Sequence, residues 1–534
     1  MDFRNLSAQE LPHTSKLIRD YESHYSRLKP FYVHEPSFKS VVKYARKLQF
    51  PADRRRQVAG VLRAQNVCFG SGGETERNIE RLAKGAVAVV SGQQVGLFGG
   101  PAYSFYKALT AIQAAEVLSG NGIPAVPIFW MATEDHDLDE VRHVTWFQEG
   151  ELMRFELPKP AEEPVPVGRV KLGPGIDELV RRAQPLLGET FGNYLREAYV
   201  PAATYGSAFA GLFARIFSEF GLILLDPLDD RLHEIAKPVL REALACRDEL
   251  NDALLQRGKD LEKAGYDPQV KVTSRSTLLF SLTDGKREVI TASNGSFASG
   301  NSLLPRDEWL ALVDAEPENF SPNAIFRPVM QDFLLPTVAY FGGPSEIAYF
   351  AQSQVLYKKL LGRMPVLLPR ADFTLVDPKG DRILKKYRLK VEDVWVGCEA
   401  LRRRMYNSVL PKKLAREFDR NLDQVEQSLH RLDKAIAKVD PTIQGTVARA
   451  EKRIRYQIDR LRHKTGAALD RHEKQVGAHQ KFLENLLYPQ KGLQSRDLCF
   501  LPFLARWGSG GLYELQKLAD PQKRLGRHMI VPIP

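Results

Sequence analysis

Cysteine and long apolar runs are both scarce in this chain of 534 residues. The four cysteines, Cys68, Cys246, Cys398 and Cys499, lie far apart and form no Cys-x-x-Cys pair. This spacing argues against a disulfide framework or a zinc site and predicts reduced thiols in a cytoplasmic protein. No apolar run approaches the roughly 20 residues of a membrane helix, and the N-terminus lacks the pattern of a signal peptide. We therefore expect no membrane partner.

The two common nucleotide-binding glycine motifs are also missing. Residues 86–107 comprise a short apolar run, a glycine-rich loop and Pro101 where a helix would begin. The glycine spacing matches neither Gly-x-Gly-x-x-Gly nor Gly-x4-Gly-Lys-Ser/Thr. A strand, a glycine loop and a helix N-terminus can cradle anions, because free N–H groups and the helix dipole favour negative charge. A tight structural βα turn produces the same pattern, so both interpretations stay open.

Short apolar runs alternate with helical patterns, which predicts an α/β fold with a parallel sheet. The length allows roughly two to four domains. We expect a core over residues 1–380 with a proline-rich, β-rich insertion at about 144–205. A second insertion, at about 270–325, is expected to contain a hairpin around Asp284-Gly285. The strands of the sheet are predicted within residues 86–90, 125–130, 221–227, 334–340 and 365–370.

The second predicted strand runs into an acidic loop. Residues 134–140 contain five carboxylates and His136. Because the carboxyl ends of parallel strands meet at one edge of a sheet, this loop and the glycine loop should face the same crevice. The carboxylates could coordinate Mg²⁺, bind an ammonium group or transfer protons. Helix N-capping by Thr133 or Asp135 is the structural alternative, and a zinc site on His136 and His143 lacks a third ligand.

One tetrapeptide occurs twice in the predicted core. Residues 98–101 and 341–344 both read Phe-Gly-Gly-Pro, and each is expected to join a strand to a helix. Two helix N-termini at one sheet edge would suit a ligand with two anionic parts. Glycine also fits the backbone conformations of tight βα turns, and this requirement explains the repeat equally well.

Residues 381–488 predict a long antiparallel α-helical coiled-coil arm. Apolar residues recur at steps of three and four over 422–439 and 447–461, interrupted at Asp440-Pro441. Residues 401–480 carry 19 Lys and Arg against 10 Asp and Glu, most of the net charge of +11. A structural or homodimer role is expected, while nucleic-acid binding by a basic arm remains the alternative. Residues 489–534 are expected to pack back on the core.

Four stretches resemble the bacillithiol biosynthesis cysteine-adding enzyme family. They are Ser91–Lys107, Phe129–Asp137, Pro336–Tyr349 and Gly492–Asp497, with Ser495 at a position where the family pattern suggests Glu. The resemblance covers nearly the whole chain. It implies a Rossmann-like core with two connecting insertions and a coiled-coil domain. It also implies a cysteine ligase that joins L-cysteine to glucosaminyl malate in the last step of bacillithiol synthesis.

Joining cysteine to an amine requires an activated carboxylate, so we expect ATP as cofactor, with Mg²⁺ possible and no dedicated metal site. Lys107 and the glycine loop would hold phosphate or carboxylate oxygens. The acidic loop would bind the amines or the metal, and His136 is the candidate general base. Arg327 would bind malate or serve as a structural salt-bridge partner. The candidate catalytic residues are Glu134, Asp135, His136 and Asp137. The candidate cofactor-binding residues are Gly92, Gln93, Gln94, Gly96, Gly99, Gly100 and Lys107. The candidate substrate-binding residues are Tyr103, Arg327, Gly342, Gly343 and Glu346.

Overall fold

The computed structural model describes residues 4–159, 165–283, 285–293, 295–440, 444–470 and 475–534. The predicted turn residues Asp284 and Pro441, and the insertion prolines Pro160 and Pro164, lie outside these ranges. The chain divides into two units. Unit 1 comprises residues 1–148, 152–374 and 495–531, and unit 2 comprises residues 149–151, 375–494 and 532–534. Among the described residues, no helix is long and apolar enough to cross a membrane.

The strands of the described residues are numbered along the chain. They are β1 (Arg4–Leu6), β2 (Val87–Gln93), β3 (Ala125–Met131), β4 (His143–Gln148), β5 (Glu151–Glu156), β6 (Ile223–Leu225), β7 (Ser276–Thr283), β8 (Lys286–Ser293), β9 (Ser296–Ser299), β10 (Ser302–Pro305), β11 (Phe320–Pro322), β12 (Thr337–Gly342), β13 (Val366–Pro369), β14 (Asp372–Val376) and β15 (His528–Pro532).

The α-helices are numbered in the same way. They are α1 (Lys16–Ser23), α2 (Phe38–Ala45), α3 (Ala52–Phe69), α4 (Gly73–Ala83), α5 (Ala102–Gly120), α6 (Leu138–Val141), α7 (Gly175–Ala183), α8 (Gly188–Ala198), α9 (Tyr205–Ile216), α10 (Asp230–Ala245), α11 (Arg247–Lys263), α12 (Arg306–Ala315), α13 (Arg327–Leu334), α14 (Pro344–Leu356), α15 (Pro378–Tyr387), α16 (Cys398–Ser408), α17 (Lys412–Ala437), α18 (Gln444–Asp470), α19 (Gln475–Leu487), α20 (Gln494–Asp497), α21 (Leu501–Trp507), α22 (Gly510–Leu518) and α23 (Pro521–Arg524).

Unit 1 is organised around a five-stranded parallel sheet in the order β13-β12-β2-β3-β6. Alternate residues of β2 enter different cores. Ala88 and Val90 pack in one hydrophobic cluster, whereas Val87 and Val89 pack in another. Both faces of the strand are therefore covered, which explains its continuous β-branched sequence. The predicted parallel α/β core is confirmed.

The fourth predicted strand begins later than the sequence pattern indicates. Leu334 is the last residue of α13, and β12 starts only at Thr337. Pro336 lies between them. The residue before a proline is disfavoured in helical geometry, so the helix ends at this point and the strand follows. Both Phe-Gly-Gly-Pro segments do lead into helices, α5 after β2 and α14 after β12.

The two insertions have different structures. The expectation of a β-rich segment over 144–205 holds only for the β4-β5 hairpin and is wrong for α7 and α8. The buried residues of α7 recur at helical spacing, namely Ile176, Leu179, Val180 and Ala183. The many prolines of the segment favoured an irregular, β-rich structure and obscured this spacing. In the second insertion, β7 and β8 form the predicted hairpin within a sheet ordered β10-β9-β8-β7-β11.

The C-terminal residues of unit 1 return to its N-terminal half. Strand β15 lies between β1 and β14 in a three-stranded sheet. The Ala102 N–H, at the start of α5, donates to the Leu498 carbonyl at 2.8 Å. The Phe500 ring lies 5.3 Å from the ring of Phe105, centroid to centroid. These contacts accompany the assignment of residues 495–531 to the same folded unit as β2 and α5.

Unit 2 consists largely of helices, as the resemblance implied. Helices α17 and α18 are antiparallel. The register is shown by two ion pairs between them, Glu426 with Arg455 and Asp419 with Arg462. The apolar seam is only partly covered. Val447 is buried, whereas the Leu432 side chain is 51% exposed and that of Leu461 is 58% exposed. The predicted antiparallel helical arm is confirmed.

Candidate functional site

A cavity of about 690 Å³ lies at the carboxyl ends of three parallel strands in unit 1. Gly92 and Gln93 end β2, Ala132 follows β3 and Gly343 follows β12, and all four line the cavity. The insertion strands β7 and β8 supply further wall residues. Open α/β sheets bind their ligands at this edge, so the cavity is the natural candidate site.

The predicted site residues divide into two groups by position. Those that line the cavity are Gly92, Gln93, Gln94, Tyr103, Lys107, Glu134, Asp135, His136, Arg327, Gly343 and Glu346. Those outside its lining are Gly96, Gly99, Gly100, Asp137 and Gly342. The glycine loop, the acidic loop and the second Gly-Gly-Pro segment therefore each contribute to one cavity, whereas five of the predicted positions do not reach it.

The Lys107 ammonium is buried and already has partners in the protein. It forms an ion pair with Glu346. It also donates to the Gly92 carbonyl at 2.7 Å and to Gln93 Oε1 at 2.9 Å. Burial lowers the pKa of Lys107, and the Glu346 carboxylate opposes this shift. The sequence predicted that Lys107 faces the anion of a ligand, but the nearest anion is the protein's own glutamate.

Glu346 also occupies the N-terminus of α14. The Gly343 N–H donates to Glu346 Oε2 at 2.7 Å, and the Tyr340 hydroxyl donates to Glu346 Oε1. Burial tends to raise the pKa of this carboxyl, but Lys107 and the Gly343 N–H outweigh burial and the pKa falls. An incoming anion would meet a carboxylate at this helix end. The expectation of two open anion sites at the Gly-Gly-Pro helices is therefore corrected for α14.

The first glycine loop uses several of its N–H groups within the protein. Gly96 donates to the Gln94 carbonyl at 3.0 Å, Gly99 to the Gly96 carbonyl at 3.1 Å and Gly100 to the Leu97 carbonyl at 2.9 Å. At the start of α5, the Ala102 N–H is occupied by the Leu498 carbonyl. The structure thus favours a tight turn over an anion cradle at Gly96, Gly99 and Gly100.

Steric limits explain why glycine stands at these positions. A Cβ on Gly96 would lie 2.8 Å from the Gly100 Cα, and Gly99 has φ +86° with the Phe105 ring against it. A Cβ on Gly92 would lie 2.5 Å from the Trp130 carbonyl oxygen of the neighbouring strand. The close approach of neighbouring parts of the protein is sufficient to require glycine at these positions, without the approach of a ligand.

The acidic loop is shared between local structure and the cavity. Asp137, rather than Thr133 or Asp135, is the N-cap of α6, accepting from the Glu140 N–H at 3.2 Å. Asp135 accepts from the Gln94 side chain at 2.7 Å and from the His136 N–H at 2.7 Å. The capping alternative is therefore correct in kind but falls on a different residue. Among the described residues, no group of three His, Cys, Asp or Glu side chains is arranged to hold a metal ion.

Glu134 differs from its neighbours because it is deeply buried. Its side chain lines the cavity with 5% of the residue exposed, and its Oε1 has no hydrogen-bond partner in the described part of the chain. His233 Nε2 lies 3.5 Å from that oxygen. Burial raises the pKa of Glu134, and the charges of His233, Arg287 and Arg327 oppose the shift. The carboxyl is therefore a better proton acceptor than an ordinary surface glutamate.

Several cavity cations were missed or only partly recognised in the sequence. Arg327 donates to the Tyr349 hydroxyl at 2.8 Å and the Tyr340 hydroxyl at 3.3 Å. Arg287 donates to Ser321 Oγ at 3.0 Å. Within the described ranges, neither guanidinium has a carboxylate within ion-pair distance, so the salt-bridge alternative for Arg327 is not observed. Arg370 directly follows β13, so the expectation that ligands bind at the carboxyl ends of parallel strands could have identified it. Arg287 lies in an insertion strand and carries no such signal.

Comparison with known proteins agrees with this architecture. The family description "Bacillithiol biosynthesis BshC, N-terminal Rossmann-like domain" matches residues 1–371, and "Bacillithiol biosynthesis BshC, C-terminal coiled-coil domain" matches residues 373–533. A protein of Koribacter versatilis is 43% identical over 526 residues, 98% of each chain. One of Solibacter usitatus is 38% identical, covering 93% of this chain and 94% of its own. A third, of Staphylococcus carnosus, is 29% identical over 81% and 82% of the two chains.

All three relatives carry the name "Putative cysteine ligase BshC". The matched domains together cover almost the entire chain, and they agree with the parallel sheet of unit 1 and the long helices of unit 2. This chain belongs to the bacillithiol biosynthesis BshC family.

Proposed function

We propose that this protein is a ligase that joins the carboxyl group of L-cysteine to the amine of glucosaminyl malate, completing bacillithiol. Family membership and the names of the relatives support the class of reaction. The observation that carries the proposal is the charge pattern of the cavity. Glu134, Asp135 and Glu140 line it together with the guanidinium groups of Arg287 and Arg327.

This pattern suits the charged groups of both substrates. An ammonium or amine is stabilised by the carboxylates of the acidic loop, and the malate carboxylates are stabilised by guanidinium donors. Arg327 remains our candidate for the malate end, whereas the Glu346 carboxylate occupies the N–H of Gly343. Burial raises the pKa of Tyr103 to about 12, so its hydroxyl stays neutral and can hydrogen-bond a substrate. The cysteine thiol arrives with the substrate, and no protein cysteine lines the cavity among the described residues.

Amide formation requires activation of the cysteine carboxylate, which ATP with Mg²⁺ would supply. The cavity offers further cations for the phosphates, namely Lys271, Arg275 and Arg496. These side chains form no ion pair within the described part of the chain. They suit a polyphosphate better than the glycine turn, because the N–H groups of Gly96, Gly99 and Gly100 are used internally. Gln93 and Gln94 remain candidate contacts at the strand end.

The direct test incubates the purified protein with L-cysteine, glucosaminyl malate, ATP and Mg²⁺ and measures the joined thiol by mass spectrometry. We expect product only when all components are present. Arg327→Met should raise the KM for glucosaminyl malate with a smaller change in the KM for ATP. Absence of product from folded protein with every common nucleotide triphosphate would contradict the proposal.

We further propose that the chain is a cytoplasmic homodimer assembled through its helical arm. The apolar side chains of Leu432, Ile454 and Leu461 are exposed on α17 and α18. Pairing two such arms would cover these side chains. All four cysteines are free, as expected in a reducing compartment. Sedimentation equilibrium should give twice the chain mass, and replacing the three apolar residues by Gln should give the monomer mass.

A further inference from the structure

The hydrogen bond between Arg287 and His136 restricts what the histidine can do. Arg287 Nη1 lies 2.9 Å from His136 Nδ1. A guanidinium group only donates hydrogen bonds, so His136 Nδ1 must accept and carries no proton. In the neutral ring, the proton is then on Nε2. Asp135 Oδ1 is 3.7 Å from the same Nδ1, too far to compete.

Arg287 is itself held in place by other contacts. It donates to Ser321 Oγ at 3.0 Å and to the Pro322 carbonyl at 2.9 Å, and its guanidinium lies 3.8 Å from the Phe280 ring centroid. With 8% of its surface exposed, it is a fixed donor rather than a mobile surface cation. A histidine facing this charge has one nitrogen occupied as an acceptor and the other available only as a donor.

Glu134 has the opposite properties. It lines the same cavity, is buried, and has a carboxylate oxygen to which no described residue donates a hydrogen bond. This oxygen lacks a hydrogen-bond donor, and the ammonium group of a substrate bound in the cavity would supply one. Its elevated pKa, caused by burial, brings it closer to the pH at which proton transfer is efficient.

We infer that Glu134, and not His136, accepts the proton of the attacking amine, while Arg287 is a positioning residue that holds His136 as a hydrogen-bond donor. This inference rests on the proposed function. The amine nitrogen of glucosaminyl malate forms a bond to the activated cysteine acyl carbon. The bond from that carbon to its activating oxygen breaks, and the oxygen leaves with the electron pair. The proton released from the nitrogen goes to the Glu134 carboxylate, and His136 Nε2–H donates to a substrate oxygen.

The histidine part of the inference can be tested without any activity. In protein labelled with ¹⁵N-histidine, long-range ¹H–¹⁵N spectra distinguish protonated from unprotonated ring nitrogens. The His136 signals are assigned by their loss in His136→Gln. We expect Nδ1 to be unprotonated and Nε2 protonated, and Arg287→Met to change this pattern. Arg275→Met, which removes another cavity guanidinium, is the matched control and should leave it unchanged. A protonated His136 Nδ1 in the unaltered protein would overturn the inference.

The glutamate part is tested by kinetics. Glu134→Gln preserves shape but cannot accept a proton, and we expect kcat to fall by about 10²–10⁴-fold. His136→Gln keeps an N–H donor and should lose less than about tenfold. Folding of each variant is checked by its unfolding midpoint. If Glu134→Gln loses less than tenfold, or less than His136→Gln, the inference fails although the proposed function stands.

The two proposals fail in different ways. If the unaltered protein forms no product, the proposed function fails and with it the proton transfer to Glu134. The nitrogen signals then decide by themselves whether Arg287 holds His136 as a donor.

Discussion

Lys107 and Glu346 form a buried ion pair that links α5 to α14, with side chains 4% and 16% exposed. Such pairs gain little over apolar residues, yet removing one partner leaves an uncompensated charge in a poorly solvated place. The pair therefore explains part of the geometry of the sheet edge without any ligand, since it joins the two helices that follow β2 and β12.

We expect Lys107→Met to lower the free energy of unfolding by about 3–5 kcal/mol, because it strands the Glu346 carboxylate. Glu346→Gln should cost a comparable amount. The double variant should cost clearly less than the sum of the two single variants. Urea unfolding followed by circular dichroism measures all three. A cost below about 1 kcal/mol for Lys107→Met would show that the charge is not held in the interior.

Asp497 provides a test of pH dependence. Burial raises its pKa from 3.8 to about 6, and its buried Oδ2 has no hydrogen bond from any described residue. The folded state binds this proton more tightly than the unfolded chain does. The contribution of the Asp497 proton to the free energy of unfolding is therefore present below about pH 4, and it is lost as the pH rises through about 6.

Asp497→Asn removes that loss. With allowance for partial solvent exposure, we expect the variant to be more stable than the unaltered protein by about 1–2 kcal/mol at about pH 8, and nearly equal to it at about pH 4. Exposed Asp252→Asn is the control and should show no such difference between the two pH values. Equal effects of Asp497→Asn at both pH values would contradict the expectation.

At the scale of elements, the β2-α5 connection depends on steric limits at glycine. Gly92 sits opposite Trp130 in the parallel pairing of β2 and β3, where a side chain would meet the neighbouring backbone. Gly60, within α3, has open space where a Cβ would lie: apart from its chain neighbours and the backbone of its own helix, no atom of the described residues is within 4 Å. A side chain is therefore sterically excluded at Gly92 but has room at Gly60.

Gly92→Ala should lower the free energy of unfolding by about 1–3 kcal/mol, because the added methyl group forces β2 and β3 apart. Gly60→Ala should raise it by about 0.5–1 kcal/mol, because glycine disfavours the helix interior. Thermal or urea unfolding compares the pair. Equal effects of the two substitutions would argue against this strand geometry.

For the whole molecule, the C-terminal segment and the arm should respond differently to deletion. Residues after 494 supply β15, which lies between β1 and β14. They also supply the Leu498 carbonyl, which accepts a hydrogen bond from the Ala102 N–H at the start of α5. The distal part of the arm is an antiparallel pair in which residue 426 faces 455 and residue 419 faces 462. Residues 495–531 of the C-terminal segment belong to unit 1, and this part of the arm belongs to unit 2.

A chain ending at residue 494 should lose cooperative unfolding, because β1 and α5 lose their partners. Replacing residues 424–457 by a short Gly-Ser turn is the matched control, since the antiparallel register lets the shortened helices reconnect. That variant should lose helical signal in proportion to the residues removed and keep the near-ultraviolet spectrum of the folded protein. A soluble, cooperatively folding chain that ends at 494 would contradict this account.

The sequence by itself determined the parallel sheet, the two Gly-Gly-Pro connections, the hairpin after residue 276 and the long helical arm. These features depend on local periodicity, turn residues and β-branched runs, which act over a few positions. It also placed the glycine and acidic loops at the edge where the cavity is found. Prolines in 144–205 obscured the helical spacing of Ile176 and its neighbours, so α7 and α8 were not predicted.

Only the tertiary structure decided which polar groups face the cavity and which are already used. Lys107 is paired with a glutamate far along the chain, and the N–H group of Ala102 donates to Leu498. Arg287 reaches His136 from an insertion strand, and its Nη1 lies 2.9 Å from His136 Nδ1. A residue's type determines what it can donate or accept, but its partner depends on distant segments that meet only when the chain has folded.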